Sequence, residues 1–144
     1  MRKISKLELE DVKIILAGAE AEARRIGVDM DVAVVDDGGN LLGFWRMDRA
    51  KVTSIEIAIS KAFTSAGTRK PTREYKAVGA PSGPAFGIHA SHGGRFMIFG
   101  GGVPIIIEGE CLGAVGCSSG TPEEDEQVAQ AGIDALLKGT RGRV

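Results

Sequence analysis

Residues 103–117 read VPIIIEGECLGAVGC, and their pattern decides the fold class. Two apolar runs, 103–107 and 111–117, flank Glu108, Gly109 and Glu110, a short turn whose glycine admits a positive φ. Strands joined so closely pair antiparallel. A hairpin with one wet face alternates apolar and polar residues. This one does not. The alternation puts Ile105, Ile107, Leu112 and Ala114 on one face and Ile106, Val115, Cys111 and Cys117 on the other. Both faces need cover, from helices or from a second copy of the chain.

Working outward, residues 95–99 (RFMIF) read as a further strand. Residues 31–36 (DVAVVD) and 41–47 (LLGFWRM) flank the turn Asp37, Gly38, Gly39, Asn40 and read as a second hairpin. Three capping boxes mark helix starts: Ser5 to Glu8, Thr53 to Glu56, and Thr121 to Glu124 with Pro122 at the first helical position. Behind the first, Leu9, Val12, Leu16, Ala19, Ala23 and Ile26 recur at helical spacing up to Gly27. The second helix, with a Val52–Ile57 staple, runs to about residue 66 and stops at Gly67. The last runs to about residue 138 and buries Gly132 against the sheet, leaving 139–144 as a frayed tail. Residues 71–77 suit one more helical piece. The predicted order is α-β-β-α-(α)-β-β-β-α: an α+β fold with a central five-stranded antiparallel sheet flanked by helices.

A chain of 144 residues is one domain by length. Its net charge of −1 offers no basic excess for a phosphate backbone, which argues against nucleic acid as a partner. No apolar run approaches the length that spans a bilayer, and no signal-like segment opens the chain. A cytoplasmic location, with no membrane partner, is the expectation. Cys111 and Cys117 are too far apart along one strand to bridge and read as small core residues. Glycine is the compositional outlier, with 21 residues, 11 of them in 82–120.

Several blocks, taken in order, resemble the GlcG/HbpS-like family. They are residues 34–39 (VVDDGG), Arg46-Met47-Asp48, Ile57-Ala58 with Lys61-Ala62-Phe63-Thr64, residues 100–104 (GGGVP), and residues 113–121 (GAVGCSSGT) followed by Asp125-Glu126. The family includes the C-terminal domain of PduO-type corrinoid adenosyltransferases and the OrfY proteins of glycerol and propanediol operons. The resemblance implies a profilin-like fold and homo-oligomers. It also implies a link to haem binding and to corrinoid-dependent diol or glycolate metabolism. In some haem-binding members a first-helix histidine is the axial ligand. Residues 6–26 hold no histidine here.

The residues themselves offer other candidates. His89 and His92 lie in the loop 79–94 (GAPSGPAFGIHASHGG). Imidazole is a common haem and metal ligand, and glycines let backbone approach a flat cofactor. Two solvent-facing loop residues would read the same way. Gly100, Gly101 and Gly102 precede a strand rather than a helix, so they form neither a P-loop nor a dinucleotide fingerprint. They suit N–H groups facing a ligand carboxylate, or a close chain crossing. Lys61 is the one base among Ser54, Ser60, Thr64 and Ser65 on the weakly charged side of the second helix. That side reads as an ordinary exposed face or an interface, and a desolvated Lys61 would be a nucleophile. Arg46 clusters with Asp36, Asp37 and Asp48 near the first hairpin, where acid–base work and plain turn chemistry are both open. No Ser–His–Asp order, CxxC or HExxH occurs, so the reading leans away from an enzyme. The leading expectation is a homo-oligomeric accessory protein binding a small flat or carboxylated ligand, a tetrapyrrole (haem or corrinoid) first. The alternatives are an enzyme acting on a small hydroxy acid or diol, and a purely structural subunit.

Overall fold

A computed structural model describes residues 1–141. The elements are α1 (Leu9–Ile26), β1 (Asp31–Asp36), β2 (Leu41–Arg46), α2 (Ser54–Thr68), α3 (Tyr75–Val78), β3 (Gly102–Ile107), β4 (Glu110–Ser118) and α4 (Pro122–Arg141). Single 3₁₀ turns cover Thr72–Glu74, Ile88–Ala90 and His92–Gly94. Four strands form one antiparallel sheet in the order β2-β1-β4-β3.

Both faces of the inner strands are covered from within the chain, while the outer strand β2 stays largely exposed. On one side α1 and α4 pack Ile15, Leu16, Val128 and Ile133 against Val32, Val34, Ile105 and Val115. On the other, α2 lays Ala58, Ala62 and Ala66 on Ala33, Val35 and Ala114. This second layer is thin because its residues are small. A Cβ on Gly116 would run into the Ala58 carbonyl, so glycine is what lets α2 sit directly on β4.

The hairpin alternation predicted above needs correction. Val103 pairs with Val115, so these two share a face with Cys117, while Ala114 turns to α2. A bulge between Ile105 and Ile106, opposite Gly113 at φ 155°, breaks the count. It returns Leu112 to the Val115 side.

The fifth strand is absent among the described residues. Residues 95–99 run beside α2, where side-chain hydroxyls rather than a neighbouring strand satisfy the backbone. Thr64 Oγ1 accepts the Met97 N–H (3.0 Å) and lies 3.2 Å from the Arg95 carbonyl. Thr72 Oγ1 accepts the Gly102 N–H at 2.9 Å. The hydroxyl side of α2 is therefore buried against its own chain, with Ser54, Ser60, Lys61, Thr64 and Ser65 all inside.

Helix ends differ in detail. The first box forms between Glu8 and Asp11, one turn later than Ser5 to Glu8, and α1 starts at Leu9. Thr53 is itself helical and makes no cap hydrogen bond, and Val52 is exposed, so neither the second box nor its staple forms. The third forms as read: Thr121 Oγ1 accepts the Glu124 N–H and Glu124 accepts the Thr121 N–H. α2 passes through Gly67 and ends at Arg69, held at φ 59°. α4 continues through residue 139 to Arg141, and the remainder of the predicted tail, 142–144, lies outside the described residues.

Candidate functional site

Lys61 is fully buried. Helical periodicity aims it from α2 between β4 and the start of α4. Its Nζ donates to Asp125 Oδ2 (2.8 Å) and to the Cys117 carbonyl (2.9 Å), and sits 4.9 Å from the centroid of the Phe99 ring. Asp125 Oδ1 accepts the Gly120 N–H at 2.9 Å. Burial raises the Asp125 carboxyl above its ordinary range, and the Lys61 ammonium opposes that. Burial also pushes the Cys117 thiol up, which makes it an inert core residue.

The glycine tract closes around this pair. Gly101 has φ 131°, and a Cβ there would stand 2.5 Å from Lys61 Nζ and 2.9 Å from Asp125 Cβ. One on Gly102 would press the Lys61 carbonyl at 2.5 Å. These positions form a close chain crossing over the lysine. Gly100 faces outward to a cleft of about 130 Å³ that Arg73, Lys76, Phe99, Pro122, Glu123 and Glu126 also line.

Asp31 is a second buried carboxylate near this centre, and its sequence neighbours gave no sign of it. Its Oδ2 accepts the Ser119 hydroxyl at 2.7 Å, and Ser119 Oγ in turn accepts the Lys51 N–H at 2.9 Å. Its Oδ1 has no hydrogen-bond partner. Burial raises its carboxyl, opposed by the Ser119 hydroxyl and the positive Arg46 and reinforced by Asp125.

His89 and His92 are exposed on the 3₁₀ turns of the 79–94 loop. The His89 ring lies 6.1 Å from Phe86, itself 62% exposed. His92, at φ 53°, stacks edge-on to Phe63 at 5.4 Å. The Arg95 guanidinium covers Phe63 at 3.9 Å. Neither imidazole makes a hydrogen bond among the described residues, and no His/Cys/Asp/Glu cluster there could hold a metal ion unaided.

Arg46 lies on β2, in a cleft that neither histidine lines. It lines a cleft of about 320 Å³ with Arg24, Trp45 and Asp48. Asp36 and Asp37 are taken by structure. Asp36 Oδ1 accepts the N–H groups of Gly38 and Asn40, both at 2.9 Å, and these bonds outweigh burial to lower its carboxyl. Asp37 pairs with Lys6.

Residues 7–134 match the family model described as "Haem degrading protein HbpS-like". The chain belongs to the HbpS-like family. Among solved structures, Klebsiella pneumoniae protein ORFY is 34% identical with a TM-score of 0.92, over 95% of this chain and 94% of that one. A PduOC:heme complex is 30% identical with a TM-score of 0.87, over 91% of this chain and 95% of that one. Corrinoid adenosyltransferase PduO of Salmonella typhimurium is 31% identical over 93% of this chain, which spans 40% of that protein's length.

For an HbpS-like chain the test is whether these residues suit haem. The group needs an axial donor and apolar cover. α1 contains no histidine. The 79–94 loop supplies exposed imidazoles free of protein hydrogen bonds, with the Phe86 ring beside His89. Neither histidine lines the clefts above. The loop thus supplies donor atoms, whereas the apolar cover around them among the described residues is the exposed Phe86 ring beside His89 and the Phe63 ring beside His92.

Proposed function

We propose that this HbpS-like chain is a tetrapyrrole-binding accessory protein of diol, glycerol or glycolate metabolism, acting in the cytoplasm. Haem is the leading ligand and a corrinoid the second. His89 or His92 supplies the axial donor, and a second copy of the chain covers the open face of the macrocycle. The observation that carries this reading is the likeness to the PduOC:heme complex along nearly the whole chain. It is supported by unpartnered imidazoles on a glycine-rich loop beside an exposed aromatic ring. When bound, haem supplies an iron centre whose properties follow from its axial donor. The chain's part is to present the imidazole and to exclude water from one face. No helix among the described residues is long and apolar enough to cross a membrane.

Trp45 is the one tryptophan and is 40% exposed. Titration with haemin and, separately, with a cobalamin should quench its emission to saturation at one ligand per chain or per pair of chains. Saturation by haemin alone selects haem, and saturation by the cobalamin alone selects the corrinoid. A linear, unsaturated response to both would overturn the proposal.

A further inference from the structure

The pair formed by Lys61 and Asp125 has no part in a histidine-loop site, yet it is expensive to keep. Taking both ions out of water costs more than a structural clip between α2 and α4 requires, and apolar residues of similar size would pack there as well. Buried groups of this kind beside a cleft are candidates for chemistry. The cleft is present. Its 130 Å³ corresponds to about four water volumes at roughly 30 Å³ each, the size of a three- to five-carbon molecule. The Phe99 ring lines this cleft and also lies over Lys61 Nζ, so it is the partition between them. Phe99 is 38% exposed and belongs to neither strand nor helix. The Gly101 carbonyl that follows is held by the Cys117 N–H at 2.9 Å, so the partition opens by rotation of the half-exposed ring rather than by movement of the backbone.

We propose that Lys61 is a carbonyl-reactive amine, that the cleft behind Phe99 admits a short-chain aldehyde to it, and that Asp125 is its proton acceptor. The geometry supplies the proton path. Nζ and Oδ2 are 2.8 Å apart, and moving one proton along that bond turns two buried ions into two neutral groups, which a low-dielectric site favours. Burial also raises the Asp125 carboxyl, in the same direction. The freed amine lone pair attacks the carbonyl carbon, and a nitrogen proton passes to the carbonyl oxygen to give a carbinolamine. The C–O bond then breaks, Asp125 returns its proton to the leaving hydroxyl, and water departs. What remains is a protonated imine paired with the Asp125 carboxylate, so charge and atoms balance with no oxidant or reductant.

The test uses the full chain without haem, so its outcome is independent of the tetrapyrrole reading. The protein is incubated with propanal and cyanoborohydride, and the alkylated lysines are mapped by peptide mass spectrometry. Lys61 should be propylated ahead of the exposed Lys13 and Lys70, with a rate that saturates in propanal. Phe99→Ala should speed labelling at residue 61 several-fold. Asp125→Asn should slow it while leaving Lys13 and Lys70 unchanged, with folding checked by circular dichroism. Should Asp125→Asn fail to fold, the wild type and Phe99→Ala decide the matter alone. Labelling confined to exposed lysines in both proteins would overturn the proposal. So would labelling of Lys61 that appears only under conditions that unfold the chain.

Discussion

Asp31 opens β1 at the centre of the sheet, flanked by Arg46 on β2 and Ser118 on β4. One of its oxygens holds the Ser119 hydroxyl and the other has no partner. Its raised carboxyl has a consequence of definite sign. An acid whose folded-state pKa lies above its unfolded value stabilises the fold below the ordinary carboxylate range, about pH 4, and loses that contribution as pH rises through the folded value. Asp31→Asn removes the effect. The melting temperature of Asp31→Asn relative to wild type should therefore climb between pH 4 and pH 7. Asp125 shifts the same way, and because the two carboxylates repel each other, removing the Asp31 charge also eases Asp125, which adds to the difference with the same sign. A constant difference across that range would show that Asp31 is not perturbed in the folded chain.

At the scale of elements, two helical glycines make opposite predictions. Gly132 lies where α4 crosses α1, not against the sheet as its sequence position suggested. A Cβ there would meet the Ile15 carbonyl at 2.7 Å and Ile15 Cγ2 at 3.1 Å. Gly132→Ala should lower stability, because overpacking against backbone costs about 1–3 kcal/mol and outweighs a helix-propensity gain of about 1 kcal/mol. Gly67, inside α2 and exposed, has nothing within 4 Å of an added Cβ. Gly67→Ala should raise stability by about 1 kcal/mol. Urea melts of both variants check the contrast. Thr64→Val tests the segment that replaced the predicted fifth strand. It strips the Met97 N–H of its acceptor and should cost about 1–3 kcal/mol.

These elements also show what the sequence made legible. Apolar residues on both faces of 103–117 correctly called for two covering layers, because side-chain alternation is a local property. Residues 95–99 misled for the same reason. Their apolar pattern suits a strand, but pairing is decided by which neighbour offers acceptors, and the hydroxyls of α2 did so first. Lys61 stands out as a lone base, whereas its partner Asp125 sits among Glu123, Glu124 and Glu126 at a helix start, where nothing in the sequence sets it apart. Only the fold brings residues 61 and 125 together. The Asp31 environment left no mark in sequence at all, since burial of an acid at the end of an inner strand depends on both flanking strands.

At the scale of the molecule, α1, α2 and α4 cover the inner strands and leave the outer strand β2 largely exposed. The proposed association has exposed apolar side chains to use, among them Leu41, Leu42 and Trp45 on the outer strand β2 and Phe86 in the 79–94 loop. An outer strand with apolar side chains is a template for pairing. Light scattering at micromolar concentration should give a mass well above 15.1 kDa, and Leu42→Lys should lower it. A monomer in the wild type would leave a bound macrocycle with one face in water.

The loop histidines are proposed to hold a tetrapyrrole iron, and the Soret band of haemin reports on that directly. Adding haemin to the wild type should give a saturable, low-spin spectrum. The double variant His89→Ala, His92→Ala should lose that spectrum while keeping its circular dichroism and its mass, and single variants should show which ring is the donor. A double variant whose spectrum matches the wild type would place the iron on another residue and contradict the claim.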